Sequence, residues 1–319
     1  MPRALGLGGI ARLAALCALA LGLAVGATAA AATLEVGAGK PFATLSAAAA
    51  AAHDGDRVVI GPGTYVDCAV WRASNLTIEG AGPDATVIAE KTCREQALFV
   101  IDGNNVTVRN LTLARARAPS ANGAGIRAEG GNLTVEHVRF LDNENGILAA
   151  PNPLATILIR DSAFIGNGSC ASSFGCAHGI YVNRVKKLRA ERSTFLATRA
   201  GHHIKSRALR TEILGCRIED GPDGTASYSV DVPNGGALLL RDSTIEKGPK
   251  SQNQGAAVAI GEEGASNPAG EILVARNVFR VDGGYASVLV SNATTTPARL
   301  VGNRLLGTAQ ALRGPGSVQ

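Results

Sequence analysis

The stretch "GHHIKSRALR", residues 201–210, crowds His202, His203, Lys205, Arg207 and Arg210 around one isoleucine, in a chain otherwise rich in alanine, glycine and short aliphatics. Such side chains hold anions and move protons. An arginine fork grips a carboxylate through paired N–H donors, a lysine whose pKa is lowered by neighbouring cations takes up a proton, and a tyrosine or histidine gives one. His178, Tyr181 and Asn183 lie upstream of this stretch, and Tyr228 and Asp231 lie downstream. They can work together only if the fold lays distant parts of the chain side by side.

Internal repetition supplies that fold. An eight-residue phrase recurs as "VTVRNLTL" from Val106, "LTVEHVRF" from Leu133, "ILIRDSAF" from Ile157, "LRAERSTF" from Leu188, "TEILGCRI" from Thr211, "LLLRDSTI" from Leu238, "ILVARNVF" from Ile272 and "ARLVGNRL" from Ala298. Its third and eighth positions are apolar throughout, and Phe140, Phe164, Phe195 and Phe279 occupy the eighth. Alternation within the phrase has the period of two that marks strands. A recurrence every 23 to 34 residues fits one coil of a parallel β-helix per phrase. The sixth position holds Ser162, Ser193, Cys216, Ser243, Asn277 and Asn303, groups small enough to stack at a bend between strands. His137 stands at a turn position filled elsewhere by Asn110, Asp161 and Asp242, and is read as structural. The expected fold is all-β, a right-handed parallel β-helix of roughly ten to eleven coils, with a capping helix over residues 43–53 that shields the open amino end. Residues 33–319 form the one solenoid domain.

A second strand follows in each coil, often opened by glycine: "GIRAE", "GILAA", "GIYVN", "HIKSR", "SVDVP", "AVAIG" and "SVLVS". Aligning Ile126, Ile147, Ile180, Ile204, Val230, Val258 and Val288 as inward residues leaves Arg127, Leu148, Tyr181, Lys205, Asp231, Ala259 and Leu289 facing outward. Neighbouring coils lie roughly 4.8 Å apart, so Tyr181, Lys205 and Asp231 become lateral neighbours, with Asn183 and Arg207 beside them. His178, His202 and His203 enter this face from the preceding loops. Arg127 and Glu129 read as a solvated pair. Two glycine-rich excursions, from Gly221 and from Lys247, are expected as groove walls, the first bringing Tyr228 and Asn234.

Arg3 and Arg12 flank the apolar run 13–25, and Ala27-Thr28-Ala29 follows, the layout of a secretory signal peptide over residues 1–32. A secreted or periplasmic location is expected, with no membrane insertion. Losing the two leader arginines lowers the formal charge from +5 to +3, too small an excess for nucleic acid. In an oxidising compartment Cys170 can pair with Cys176 and Cys68 with Cys93, leaving Cys216 buried and free. No cysteine set has zinc-site spacing, so no metal ligands are assigned.

The opening "GDRVVIGPGTY" with the coils after it resembles the amino terminus of secreted right-handed parallel β-helix proteins of the pectate lyase and pectinesterase superfamily. The resemblance spans nearly all of the chain after the leader and implies the fold. "HIKSR" is similar to the Lys-Ser strand of chondroitinase B and of β-helix alginate lyases, which implies Lys205 as a base. "CAHGI" resembles the Gly-His-Gly of polygalacturonases, but the paired aspartates of inverting hydrolysis are not recognisable. Those lyases carry an arginine on the next rung where this chain has Asp231, and calcium-binding acids where it has Thr198, Arg199 and Ala200. No cofactor is expected, with calcium left open as an alternative that no residue pattern supports. The resulting expectation is a monomer acting on acidic polysaccharide by β-elimination at a uronate. Arg207 would hold the carboxylate, Lys205 take the proton and Tyr181 or His203 protonate the leaving oxygen, with His178, Asn183, His202, Tyr228 and Asp231 binding substrate. The alternatives are a non-catalytic carbohydrate-binding or cell-envelope protein using the same face, and a purely structural solenoid.

Overall fold

Each eight-residue phrase bends at its fifth position. In the computed structural model, which describes residues 30–319 apart from Phe174, Asn110, His137, Asp161, Arg192, Asp242 and Arg276 all have φ between 45° and 57°, and Gly215 and Gly302 occupy the same place at 61° and 60°. One left-handed residue per coil turns the chain sharply without a loop, and Asn, Asp and Gly tolerate this backbone best. The sixth position then closes the bend. The Ser162 amide donates to Ser193 Oγ at 3.2 Å, the Cys216 amide to Ser243 Oγ at 3.0 Å, and the Ser243 amide to Asn277 Oδ1 at 3.0 Å. Replacing His137 by valine, which resists positive φ, should cost about 1–2 kcal/mol, whereas His137→Gly should cost nothing or stabilise. Urea unfolding of the two variants checks this, and equal losses would contradict the turn reading.

The two halves of the phrase line one twenty-stranded sheet folded along that row of bends, and the second strands form a ten-stranded sheet that closes each coil. Every strand pairing between coils is parallel, as in Val106–Ala114 with Leu133–Leu141. The result is a right-handed parallel β-helix, and the compact unit runs from Ala31 to Gln319. Inside, Phe140, Phe164 and Phe195 stack with ring centroids 4.5 and 4.8 Å apart, all fully buried. Such an unbroken apolar column makes each coil depend on its neighbours.

The cap helix spans Leu45–Ala51, shorter than the expected 43–53. Thr44 caps it, its hydroxyl accepting the Ala47 amide at 3.2 Å, and the Asp56 carboxylate takes the His53 amide at 2.8 Å outside the helix. Asn75, Asn105 and Asn132, which begin Asn-x-Ser/Thr triplets, hydrogen-bond in series from coil to coil at 3.1 and 2.8 Å, a structural ladder. Cys68 is bonded to Cys93 and Cys170 to Cys176, while Cys216 is buried and free. Residues 1–29 of the expected leader, Cys17 among them, lie outside the described residues. Among the described residues no helix is long and apolar enough to cross a membrane, and no group of three or more His, Cys, Asp or Glu is arranged to hold a metal ion.

One register needs correction. Val258 pairs with Val290, not Val288, so Ala259 faces Ser291 and Leu289 leaves the predicted column. A slip of two residues preserves the in–out alternation, so the apolar pattern could not detect it.

Candidate functional site

The strands Ile180–Val182, Ile204–Ser206 and Val230–Val232 lie next to one another in the ten-stranded sheet. Tyr181 is registered on Lys205, and Lys205 on Asp231. Inward, Ile180, Ile204 and Val230 fill the core, so alternation points the three intervening side chains to one outer face. Arg207 joins them from just beyond its strand. Its Nε donates to Tyr181 Oη at 3.0 Å and its Nη1 to Asn234 Oδ1 at 2.5 Å. Lys205 Nζ and the Arg207 guanidinium each lie 5.8 Å from the centre of the Tyr181 ring.

A second column forms beside the first. The imidazoles of His178 and His202 stack at 4.8 Å, and the Tyr228 ring continues the stack 5.2 Å from His202. Backbone hydrogen bonds hold it in place: the His202 amide donates to His178 Nδ1 at 2.9 Å, and the Tyr228 amide to His202 Nδ1 at 3.1 Å. Both Nδ1 atoms are acceptors, so each ring is neutral with its proton on Nε2. Burial, reinforced by the neighbouring cationic side chains, pushes the His202 pKa down to about 3 and that of His178 well below the usual histidine range. These histidines are therefore flat polar rings, not cations.

Charge on this face is balanced by acids. Lys205 Nζ lies 2.7 Å from Glu263 Oε1 and 3.4 Å from Asp231 Oδ2, and the other Glu263 oxygen meets Arg207 Nη2 at 2.6 Å. Lys205, expected either as a base with its pKa lowered by neighbouring cations or as the ion-pair partner of Asp231, is held between two carboxylates, Asp231 and Glu263. Glu263 arrives from the turn after the strand Ala256–Ile260, between Gly261 and Gly264, whose φ values are 81° and 91°. The "GEEG" sequence, two acids bounded by turn glycines inside the second excursion, was the one available signal for it.

Asp231 is the strained member. Its side chain is buried and its Oδ1 has no hydrogen-bond partner. Burial drives its pKa up to about 6, against the pull of Lys205. Between pH 4 and 6, roughly, the folded chain holds a proton that the unfolded chain has released, so stability from this group falls as pH rises through that window. Asp231→Asn should thus stabilise the protein at pH 8 by about 1–3 kcal/mol, with the gain shrinking towards zero at pH 4. Urea unfolding at pH 4, 6 and 8 checks it, and a pH-independent difference would contradict the assignment. A carboxylate that costs stability in a charged cluster is typical of functional sites.

Two expected site residues sit elsewhere. His203 is fully buried: its Nδ1 pairs with Thr198 Oγ1 at 2.8 Å and its Nε2 with Asp220 Oδ1 at 2.9 Å, so it does not reach the outer face. Asn183 turns its amide to the Ala149 carbonyl at 3.0 Å, closing the end of the strand Asn145–Ala149. Below the face, the wholly buried Lys247 donates to the carbonyls of Ala226 and, at 2.5 Å, Ser227, and lies 3.8 Å from Asp220. This interior cluster anchors the loop that presents Tyr228. Burial brings the Lys247 pKa down to about 8.

No protein-family model matches the sequence, and no match is found among curated proteins. Solved structures do match in shape. The fold is that of the right-handed parallel β-helix proteins. It is shared with the alginate lyase from Paenibacillus sp. str. FPU-7, at a TM-score of 0.54 and 15% identity over 90% of this chain and 99% of that one. It is shared too with the pectate lyase Pel9A, at a TM-score of 0.57 and 14% identity over 88% of this chain and 78% of that one.

Proposed function

We propose that the protein is exported and engages an acidic polysaccharide through the outer face formed by Tyr181, Lys205, Arg207 and Asp231, with β-elimination at a uronate as its catalytic form. The observation that carries this reading is the convergence of Lys205 Nζ and Arg207 Nη2 on the two oxygens of one carboxylate, at 2.7 and 2.6 Å, with an aromatic ring alongside. A hexuronate offers that chemistry, one planar carboxylate on a ring that can lie against Tyr181. Export is supported by the leader-like amino terminus and by two disulfides. Two proteins of the same fold are an alginate lyase and a pectate lyase, which makes uronate polymers the first substrates to try.

In the elimination, Arg207 would neutralise the carboxylate, raising the acidity of the proton alpha to it. Lys205, once it has released its own proton to solvent, would be the candidate acceptor for the alpha proton, and Tyr181 the candidate donor to the leaving oxygen. The engagement of Lys205 by Glu263 and Asp231 specifically favours a second reading, in which Lys205 acts only as a charge and the face binds without cleaving. Incubation with alginate, polygalacturonate, chondroitin and hyaluronan, followed by ultraviolet absorbance of unsaturated uronate ends, separates the two. Absorbance that is lost in Lys205→Ala supports elimination, and retention of uronate without absorbance supports binding alone. Neither signal with any of the four polymers would overturn both.

A further inference from the structure

The charged groups of this face sum to zero. Lys205 and Arg207 are opposed by Asp231 and Glu263, and His178 and His202 are neutral, so an added anion meets no net attraction while Glu263 is in place. Glu263 is also the odd member by position. It comes from a turn 56 and 58 residues beyond the two cations, and its side chain is 45% exposed, whereas those of Lys205 and Arg207 are 12% and 22% exposed. The cations form the recessed floor and Glu263 the accessible occupant. Its carboxylate takes both donors, one on each oxygen, which is how a ligand carboxylate would sit.

We propose that Glu263 is an internal stand-in for the ligand, a carboxylate that closes the Lys205–Arg207 subsite and must swing out before an external uronate carboxylate binds. This inference rests on the uronate-binding reading above and adds a self-blocking step and a specificity to it. The side chain is exposed enough to leave by rotation alone, while the Glu263 amide stays bonded to the Pro233 carbonyl at 3.0 Å and the turn keeps its shape. When Glu263 leaves, the subsite gains one net positive charge and two donors spaced for a single carboxylate. Asp231, 3.4 Å from Lys205, remains and opposes ligands of higher charge density. The ligand selected is a chain of single carboxylates, a uronate polymer, in preference to a sulfated one.

An internal competitor weakens apparent affinity by the fraction of molecules in which the site is open, so Glu263→Gln should tighten binding of polygalacturonate or alginate oligomers by ~10-fold. Calorimetric titration of the full chain tests this with those two probes, a sulfated glycan, a neutral dextran and polyglutamate. Wild type, Glu263→Gln, Glu263→Ala and Lys205→Ala are compared, with melting curves to verify folding. Both Glu263 variants binding uronates more tightly, and Lys205→Ala more weakly, is the expected result. Uronate binding that depends on Lys205 but is unchanged or weakened in both Glu263 variants would overturn the stand-in while leaving the uronate reading intact. Uronate binding indifferent to Lys205, no uronate binding by any folded variant, or binding of polyglutamate alone would overturn both.

Discussion

Uronate affinity should fall by about 30-fold or more in Arg207→Ala, because a recessed charge that is hydrogen-bonded across an interface is worth about 2 kcal/mol or more when truncated. The guanidinium directs three groups at once, Nε to Tyr181 Oη, Nη1 to Asn234 Oδ1 and Nη2 to Glu263 Oε2. That fan of donors fixes the guanidinium beside the ring and aims one N–H at the carboxylate position. Arg207→Lys keeps the charge but cannot make the planar set of contacts, so it should recover only a small part of the loss. Titration of both variants with oligogalacturonate checks this. A lysine variant that binds as wild type would mean that charge alone, and not the fork, defines the subsite.

Replacing Asp220 by alanine should destabilise the fold by about 3–5 kcal/mol, since it strips the partner from buried charged and polar groups. Asp220 is fully buried; Oδ1 meets His203 Nε2 at 2.9 Å, while Oδ2 receives the Gly248 amide at 3.2 Å and the Ser251 hydroxyl, with Lys247 at 3.8 Å. Burial alone would raise its pKa, but the hydrogen bond and charge of His203, the charge of Lys247 and the Ser251 bond bring it down to about 2. A carboxylate with a depressed folded pKa contributes stability above its unfolded value, here 3.8, and loses it as pH falls towards 2. The gap between wild type and Asp220→Ala should therefore be full at pH 7 and narrow below pH 4. Chemical unfolding at pH 7 and pH 3 measures it. A loss under 1 kcal/mol at pH 7 would mean that the interior charges find other partners.

Much of the architecture was readable because a solenoid writes each structural need once per coil. The fifth-position turns, the Ser162-to-Asn303 row and the phenylalanine stack each answer a local demand that recurs at every bend, and Tyr181, Lys205 and Asp231 fell on one face through strand alternation alone. Features outside the strands were not readable. His203 precedes the strand Ile204–Ser206, where alternation has not begun, and its direction is set by Asp220, 17 residues further on. Glu263 belongs to an excursion whose return path onto Lys205 no periodicity describes. The slip at Val288 went unseen because it kept parity, and Asn183 left its column because its strand ends at Val182.

The central claim is that the coil carrying Lys205 and Arg207 holds a uronate carboxylate. A crystal structure of Glu263→Gln with a polygalacturonate or alginate oligomer tests it most directly. The account predicts a sugar carboxylate with its two oxygens within hydrogen-bond reach of Lys205 Nζ and Arg207 Nη2, and its ring against Tyr181. An oligomer lying on the twenty-stranded sheet, or on this face with its carboxylates turned away from both cations, would contradict it.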